Sequence, residues 1–476
     1  MKTAVVWLRR DLRLDDQPAL RAALDAGQVP VPLYIHAPHE EAPWAPGAAS
    51  RAWLHHSLHA LGEDLRARGS DLLLRQGDSA QVLAEVAAAS GAEAVYWTRR
   101  YEPATQRRDA AIKRQLRESG LSAQSFNGAL LFEPWELATR QGGPYKVFTP
   151  FWRSALTQWR LPAPWDAPAR LPALPKLRGE TLAALDLLPS PRWDRGFWQH
   201  WQAGEAGARD MLAAFVEGAL HGYREQRDLP DRIGTSRLSP HLHFGEIAPW
   251  RACHVLMSAS DATGAALEAD RDAWLRELGW REFAHHLLHH FPHSSERNLD
   301  TRFDRFTWAA DDEVAVAAWQ RGHTGIPIVD AGMRELWATG YMHNRVRMIV
   351  ASLLCKHLRQ HWLVGARWFW DTLVDADLAN NSLGWQWVAG TGADAAPYFR
   401  IFNPVTQARR FDPHARYISR WVPELAGLPV AQRFAPWEHA DALRTLAPGY
   451  PSQPVVALGT GRDQALAAYA AMRAQG

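Results

Sequence analysis

Between Asp371 and Pro404 the chain reads DTLVDADLANNSLGWQWVAGTGADAAPYFRIFNP, where acids, amides and indoles recur at short spacing. Asp375 and Asp377 can accept hydrogen bonds from a heterocycle's N–H groups or neutralise an arginine, and Asn381 can both donate and accept. Trp385 and Trp387 add two aromatic faces. Such a set suits the polar edge and flat face of a bound cofactor. Taken singly, each residue also reads as a helix cap or a core tryptophan, the commoner role for its type.

Three further clusters have chemistry in them. Tyr223 is followed by Gly-Thr235-Ser236-Arg237-Leu238-Ser239-Pro240, three hydroxyls and a guanidinium in a loop that opens a helix, which suits a phosphate as well as it suits a cap. In DAWLRELGWREF, Trp274, Glu277, Trp280 and Arg281 recur at three and four residues and can share one side of a helix; Glu277 and Arg281 could equally form a surface ion pair of small energetic weight. In GYMHNRVRMIV, Asn344 and Arg347 share one helical face while Arg345 and Met348 share the next, so one helix could address two partners.

The elements that must position these residues fall into two kinds. From the start, short apolar or β-branched runs (TAVVWL, VPLYIHA, DLLLRQG, AVYWTRR, SAQSFNG) alternate with amphipathic stretches to about residue 130. This predicts a doubly wound parallel sheet, because parallel neighbours need a crossover of a dozen or more residues. No G-x-G-x-x-G follows the first run, so a Rossmann dinucleotide site is not indicated. Pro, Trp and Leu then crowd a stretch that reads as a surface connector, and beyond Gly204 helical periodicity dominates. The expected division is an α/β domain at 1–132, a linker at 133–203 and a helical domain at 204–476. A formal net charge of +2 does not announce a nucleic-acid protein in bulk, so any DNA footprint must be a local patch. Two cysteines cannot supply an iron–sulfur cluster or a disulfide framework, no metal site is expected, and no run of about eighteen apolar residues suggests a membrane span. These features suit a reduced cytosolic setting. The 24 tryptophans stand out, as core, stacking surface or stepping stones for electrons.

The D-x-D…N…G-W-Q-W…D-A-A-P-Y-F-R-x-F-N-P pattern, with G-T-S-R-L-S-P and the helix around Glu277, resembles the DNA photolyases and cryptochromes over nearly the whole chain. That resemblance implies an α/β antenna domain and an all-helical domain that binds FAD. It implies flavin contacts from Tyr223, Thr235, Ser236, Arg237, Leu238, Ser239, Trp274, Arg281, Asn344, Arg347, Asp375, Ala376, Asp377 and Asn381, with Arg347 paired to Asp375. Asn381 would face the flavin's protonatable ring nitrogen, where plant cryptochromes typically carry an Asp. Glu277, Trp280, Met348, Asn381 and Trp387 would form the pocket for a flipped-out pyrimidine dimer. Trp385, Trp362 and Trp308 match the tryptophans that pass electrons inward to the flavin, with Trp319 or Trp370 as a further branch. Arg227, Arg345 and Arg400, then Arg409 and Arg410, would meet DNA along with Glu277, Trp280 and Asn344.

The wording PGAASRAW, SFNGALLFEPWE, SPHLHFGEI and DAGMRELWATGYMHN is similar to plant cryptochromes and the bacterial class III photolyases allied to them. At the antenna site Trp44, Ala104 and Thr105 stand where the folate ligands of class I enzymes are expected, so a methenyltetrahydrofolate is placed differently, with Glu40 and Trp44. The expectation is a cytoplasmic, monomeric light-driven enzyme acting on UV-damaged DNA. The rival is a cryptochrome-type receptor without repair.

Overall fold

The computed structural model of the protein describes residues 2–260, 265–395 and 399–474. Residues 396–398 of the D-A-A-P-Y-F-R motif lie outside the described residues. Five strands, β1 (Thr3–Leu8), β2 (Val29–His36), β3 (Leu73–Gln76), β4 (Ala92–Thr98) and β5 (Ser122–Phe126), form one parallel sheet in the order β3-β2-β1-β4-β5. Every predicted strand is present. β1 is central, pairing Val5 with Val31 on one side and with Val95 on the other, so its six residues are all buried. Both faces of a parallel sheet must be covered, which is why TAVVWL reads as a continuous apolar run rather than an alternating one.

The crossovers are helices α1 (Pro18–Asp25), α2 (Ala48–Ala67), α3 (Ser79–Ser90) and α4 (Pro103–Glu118). Local chemistry fixes their ends. Gln17 accepts from the Ala19 and Leu20 amides and Pro18 opens α1; Asp78 caps α3 through the Gln81 amide, and Gly91 closes it at φ 63°. One face of the sheet buries Val5, Trp7, Val31, Leu33, Val95 and Trp97 against Val82, Leu83 and Val86 of α3 and Ile112 and Leu116 of α4. Each such fully buried side chain contributes about 1.5–3 kcal/mol of transfer free energy.

Helices follow in the remainder: α5 (Phe148–Thr157), α6 (Glu205–Ala214), α7 (Tyr223–Gln226), α8 (Ser239–Phe244), α9 (Pro249–Ser260), α10 (Ala265–His290), α11 (Glu313–Gln320), α12 (Pro327–Thr339), α13 (Asn344–Ser352), α14 (Trp362–Thr372), α15 (Leu378–Ala389), α16 (Pro404–Phe411), α17 (Arg416–Trp421), α18 (Ala440–Leu446) and α19 (Leu458–Ala474). Among the described residues no helix is long and apolar enough to cross a membrane.

Contacts divide the chain into two compact units, one of Met1–His221, Ser236–Pro292 and Val374–Asp377, the other of Gly222–Thr235, His293–Leu373 and Leu378–Gly476. The division differs from the linear one read from sequence. α10 goes with the sheet because the buried Glu282 accepts from the Leu131 and Phe132 amides, and because His286 Nδ1 lies 2.9 Å from the Pro134 carbonyl. The Pro-rich connector is likewise not a bare surface link. Its α5 buries Phe148, Phe151 and Trp152, with Phe151 against Phe283 of α10. In the second unit the run from Glu335 to Trp362, helical by periodicity, is broken: Gly340 ends α12 at φ 69°, and His343 caps α13 through the Arg345 amide.

Candidate functional site

In the sheet-bearing unit, two motifs 136 residues apart in sequence meet: the Ser239 hydroxyl donates to Asp375 at 2.6 Å. The loop before it holds Arg237 at φ 51°, a left-handed conformation that a side chain adopts only under local constraint. Arg237 spreads its guanidinium over the Trp201 ring at 4.2 Å. Thr235 belongs to the other unit, while Ser236, Leu238 and Ser239 stay with Arg237.

Asp377 sits between two histidines that sequence reading did not single out. His285 Nε2 lies 3.4 Å from its carboxylate, and His243 Nδ1 lies at 3.8 Å. Burial, the largest single effect, disfavours charge on Asp377, but His285 and His243 together outweigh it and hold the carboxyl well below its usual range. The same pairing raises His285 against the opposing pull of burial. His243 goes the other way, pushed down to about 4 by burial and by the neighbouring Arg10. One carboxylate thus stands between two imidazoles shifted in opposite directions. The signal was present in the sequence, as histidines within SPHLHF and WREFAHH.

α10 supplies Trp274, Glu277, Trp280 and Arg281 as the spacing predicts, but to different neighbours. Arg281 donates to the Ala129 carbonyl at 2.8 Å and meets Glu282, which fastens α10 to the sheet side of its unit. Trp280 is half-buried and lies flat on Phe148, centroids 3.7 Å apart at 8°, with Arg276 over the other face of Phe148. Trp274 is buried beside Phe215, and Glu277 is half-buried.

At the carboxyl ends of β1, β2 and β4 a cavity is lined by Trp7, Arg10, Tyr34, Glu41, Arg100 and His243, among others. Arg100 meets both oxygens of Glu41 at 2.8 and 2.9 Å and Glu102 at 2.8 Å. The indole N–H of Trp7 and both ring nitrogens of His243 are buried without a hydrogen-bond partner. Ligands of open α/β sheets sit outside the strands' carboxyl ends, so Arg9, Arg10, Arg99 and Arg100, directly after two strands, were a legible signal that went unused. Glu40, inferred as an antenna ligand, has its carboxylate accepting from the Ser79 amide and hydroxyl at the start of α3, at 2.7 and 2.6 Å. The carboxylate that lines the cavity is its neighbour Glu41. Trp44 is buried, and the cavity's lining does not include it.

In the other unit, Asn381 on α15 donates to the Ala366 carbonyl of α14 at 2.9 Å, which fixes its amide plane. Trp385, four residues on, packs so closely on α14 that a Cβ at Gly365 would lie 2.0 Å from its ring, so only glycine fits there. Trp362 opens α14, fully buried, with its N–H on Asn298 at 3.0 Å. His361 stands next to it at 5.6 Å between centroids, and Trp308, half-buried, faces His361 at 5.0 Å. The three tryptophans inferred from sequence lie in one unit, Trp308 half-buried and Trp362 and Trp385 buried. Trp319, fully buried, meets Trp385 edge-on at 6.1 Å. Trp387 is half-buried, with the Arg400 guanidinium 5.4 Å from its ring.

α13 presents Asn344 exposed and Arg345, Arg347 and Met348 half-buried. Arg347 donates to the Met342 carbonyl at 2.7 Å and lies over Tyr341. Arg345 pairs with Asp228 at 2.7 Å. Arg227 lies over Tyr223, while Arg409 and Arg410 are exposed on α16.

A parallel sheet with arginine-rich strand ends is thus joined in sequence to helices bearing a D-x-D acid pair, a hydroxyl loop and several indoles. Two family descriptions match: "DNA photolyase" over residues 4–173 and "FAD binding domain of DNA photolyase" over 274–471. The chain is 47% identical to a deoxyribodipyrimidine photo-lyase of Agrobacterium fabrum, covering 99% of each, and 37% identical to cryptochrome-1 of Arabidopsis thaliana, over 92% of this chain and 65% of that one. Its fold superposes on a bacterial class III photolyase from Agrobacterium tumefaciens with a TM-score of 0.94 at 47% identity, over 99% and 98% of the two chains. The chain belongs to the DNA photolyase and cryptochrome family. Within the sheet-bearing unit the donor types fit FAD: the hydroxyls of Ser236 and Ser239 suit phosphates, and Asp375 and Asp377 suit the N–H edge of a heterocycle.

Proposed function

We propose that this protein repairs cyclobutane pyrimidine dimers in DNA under blue light. The observation that carries the reading is full-length similarity to a photo-lyase, with the Asn344-Arg345-Val346-Arg347-Met348 helix start and an Asn at 381 both in place. When bound, reduced FAD supplies the chemistry, lending an electron that opens the cyclobutane ring and taking it back.

The chain's own residues do the rest. Tyr223, Thr235, Ser236, Arg237, Leu238 and Ser239 hold the dinucleotide's phosphates and sugars. Asp375, Ala376, Asp377, Asn344, Arg347 and Asn381 orient its rings, and His285 keeps Asp377 charged. Glu277, Trp280, Met348 and Trp387 receive the flipped-out lesion, Trp387 offering a π face and Glu277 a carboxyl group to the bases. Trp308, Trp362 and Trp385 pass electrons inward to restore the reduced state. Arg227, Arg345 and Arg400 meet phosphates, so DNA binding falls steeply with salt. The cavity at the strand ends takes a folate-type antenna, with Arg10, Arg100, the unpartnered Trp7 indole N–H and one His243 N–H as its donors and the other His243 nitrogen as an acceptor. The working form is a monomer in the cytoplasm.

The test is repair of a defined thymine dimer by purified, pre-reduced protein in light and in darkness, with Glu277→Ala beside it. Light-dependent loss of the dimer, weakened in the variant, supports the reading. A protein that photoreduces its flavin but leaves the dimer intact moves the function to a cryptochrome-type receptor.

A further inference from the structure

Asp228 occupies a position that the assignments above leave without a task. Its Oδ2 pairs with Arg345 Nη2 at 2.7 Å, and its Oδ1 lies 4.0 Å from Arg227 Nε. One carboxylate thus stands between two of the arginines assigned to DNA. The Arg345 guanidinium is held on further sides: its Cζ lies 4.4 Å from the Phe411 ring centroid, and its Nη1 reaches the Met348 sulfur at 3.8 Å. Its Nε is buried without a partner. A guanidinium so enclosed has few orientations left, and the carboxylate chooses among them.

The segment that carries Asp228 is itself pinned. A Cβ at Gly234 would lie 2.7 Å from the Gln226 carbonyl oxygen, so the chain closes back on itself across residues 226–234. Asp231, on the same segment, is met by Arg416 at 3.8 Å and by Arg232 at 3.8 Å, and its carbonyl accepts from Arg420 at 3.4 Å. Asp228 is therefore a fixed anchor and not a mobile counter-ion.

We propose that Asp228 is a positioning residue for lesion recognition: by clamping the Arg345 guanidinium against Phe411, it sets the Met348 side chain before DNA arrives. The inference rests on the assignment of Met348 to the dimer pocket made above. Its signature is discrimination between damaged and undamaged DNA, rather than affinity for DNA as such, because a clamp acts on the pocket while a bare charge acts on any phosphate.

The experiment measures binding of the full-length, FAD-loaded protein to a short duplex carrying one thymine dimer and to the same duplex without it, across a salt series. Asp228→Asn is expected to lower the preference for the dimer about fivefold while affinity for undamaged DNA holds or rises. Arg345→Lys, which keeps the charge but loses the planar stack and the reach to Met348, is expected to lose the preference to a similar degree. Combining Asp228→Asn with Arg345→Lys is expected to lose no more than either alone. Equal gains on both duplexes for Asp228→Asn would make Asp228 a mere repeller of phosphate and overturn the proposal, as would full preference in Arg345→Lys. If the unaltered protein shows no preference for the dimer, it is the repair reading that fails.

Discussion

At the carboxyl end of the sheet, Arg9, Arg10, Arg100 and Arg108 meet Asp109, Glu41, Glu102 and Glu40, with most of these side chains a sixth exposed or less. Around Trp362 in the other unit the interior is rings and amides: His361 stands between Trp308 and Trp362 at 5.0 and 5.6 Å, and Phe369, Trp319 and Trp385 meet one another at 4.9–6.2 Å. The first region takes charges out of water at several kcal/mol per ion and recovers that cost only through near-complete pairing. The second presents few fixed charges to reorganise when an electron moves. A lattice of paired ions can hold a polar ligand in place, whereas a low-polarity run of indoles can pass charge.

Breaking the ionic region has the largest expected effect on stability. Arg100→Met leaves Glu41 and Glu102 to share Arg10 without the guanidinium that bonds both, and should cost about 3–5 kcal/mol in denaturant unfolding. The sign with pH is definite. Burial opposes the charge on Glu102, but the pull of Arg100 and Arg10 depresses its carboxyl well below the ordinary value. That stability is present above the unfolded value near 4.5 and is lost as pH falls through the folded one. The Arg100→Met protein should therefore lose less stability between pH 5 and 3 than the parent does, as unfolding midpoints at several pH values would show.

The aromatic unit contains one exception that sharpens the contrast. Lys356 is buried, with its Nζ 3.2 Å from the Phe399 ring centroid and 2.6 Å from the Ala389 carbonyl. Burial lowers it to about 7 from 10.5. Between those values the unfolded chain holds a proton that the folded chain has released, so stability rises with pH across that window. Lys356→Met should flatten the rise, measured as unfolding midpoints from pH 7 to 10; an unchanged slope would mean the ammonium is retained. The smallest effect is expected at Ser239→Ala, which removes one charge-assisted hydrogen bond to Asp375 and should cost about 1–2 kcal/mol, with a matching loss of FAD affinity by titration.

The sheet was legible because each strand is buried on both sides and is written as an unbroken apolar run, closed by Gly, Asn or charge. The break at Gly340 could have been read from Gly followed by a capping His343, but periodicity on both sides concealed it. α5 was hidden by prolines around it, although Phe148, Phe151 and Trp152 carry a helical stripe. Within the site, spacing along single helices was readable: the faces of α10, α13 and α15 bear the residues named from sequence. Pairings across long separations were not. Nothing in the sequence placed Asp228 on Arg345 or His285 on Asp377, and nothing separated Glu41 from Glu40, since adjacent carboxylates differ only in the side of a short turn on which they fall.

In the proposed function, loading the electron and using it fall to separate residues, with Trp362 serving only the first. The direct test is Trp362→Phe, followed in two states under blue light with an external reductant and a thymine-dimer substrate. Starting oxidised, the variant should photoreduce at least about tenfold more slowly than the parent. Starting chemically reduced, it should repair the dimer at the parent's rate. Repair slowed to the same degree as photoreduction, or photoreduction at the parent's rate, would contradict it.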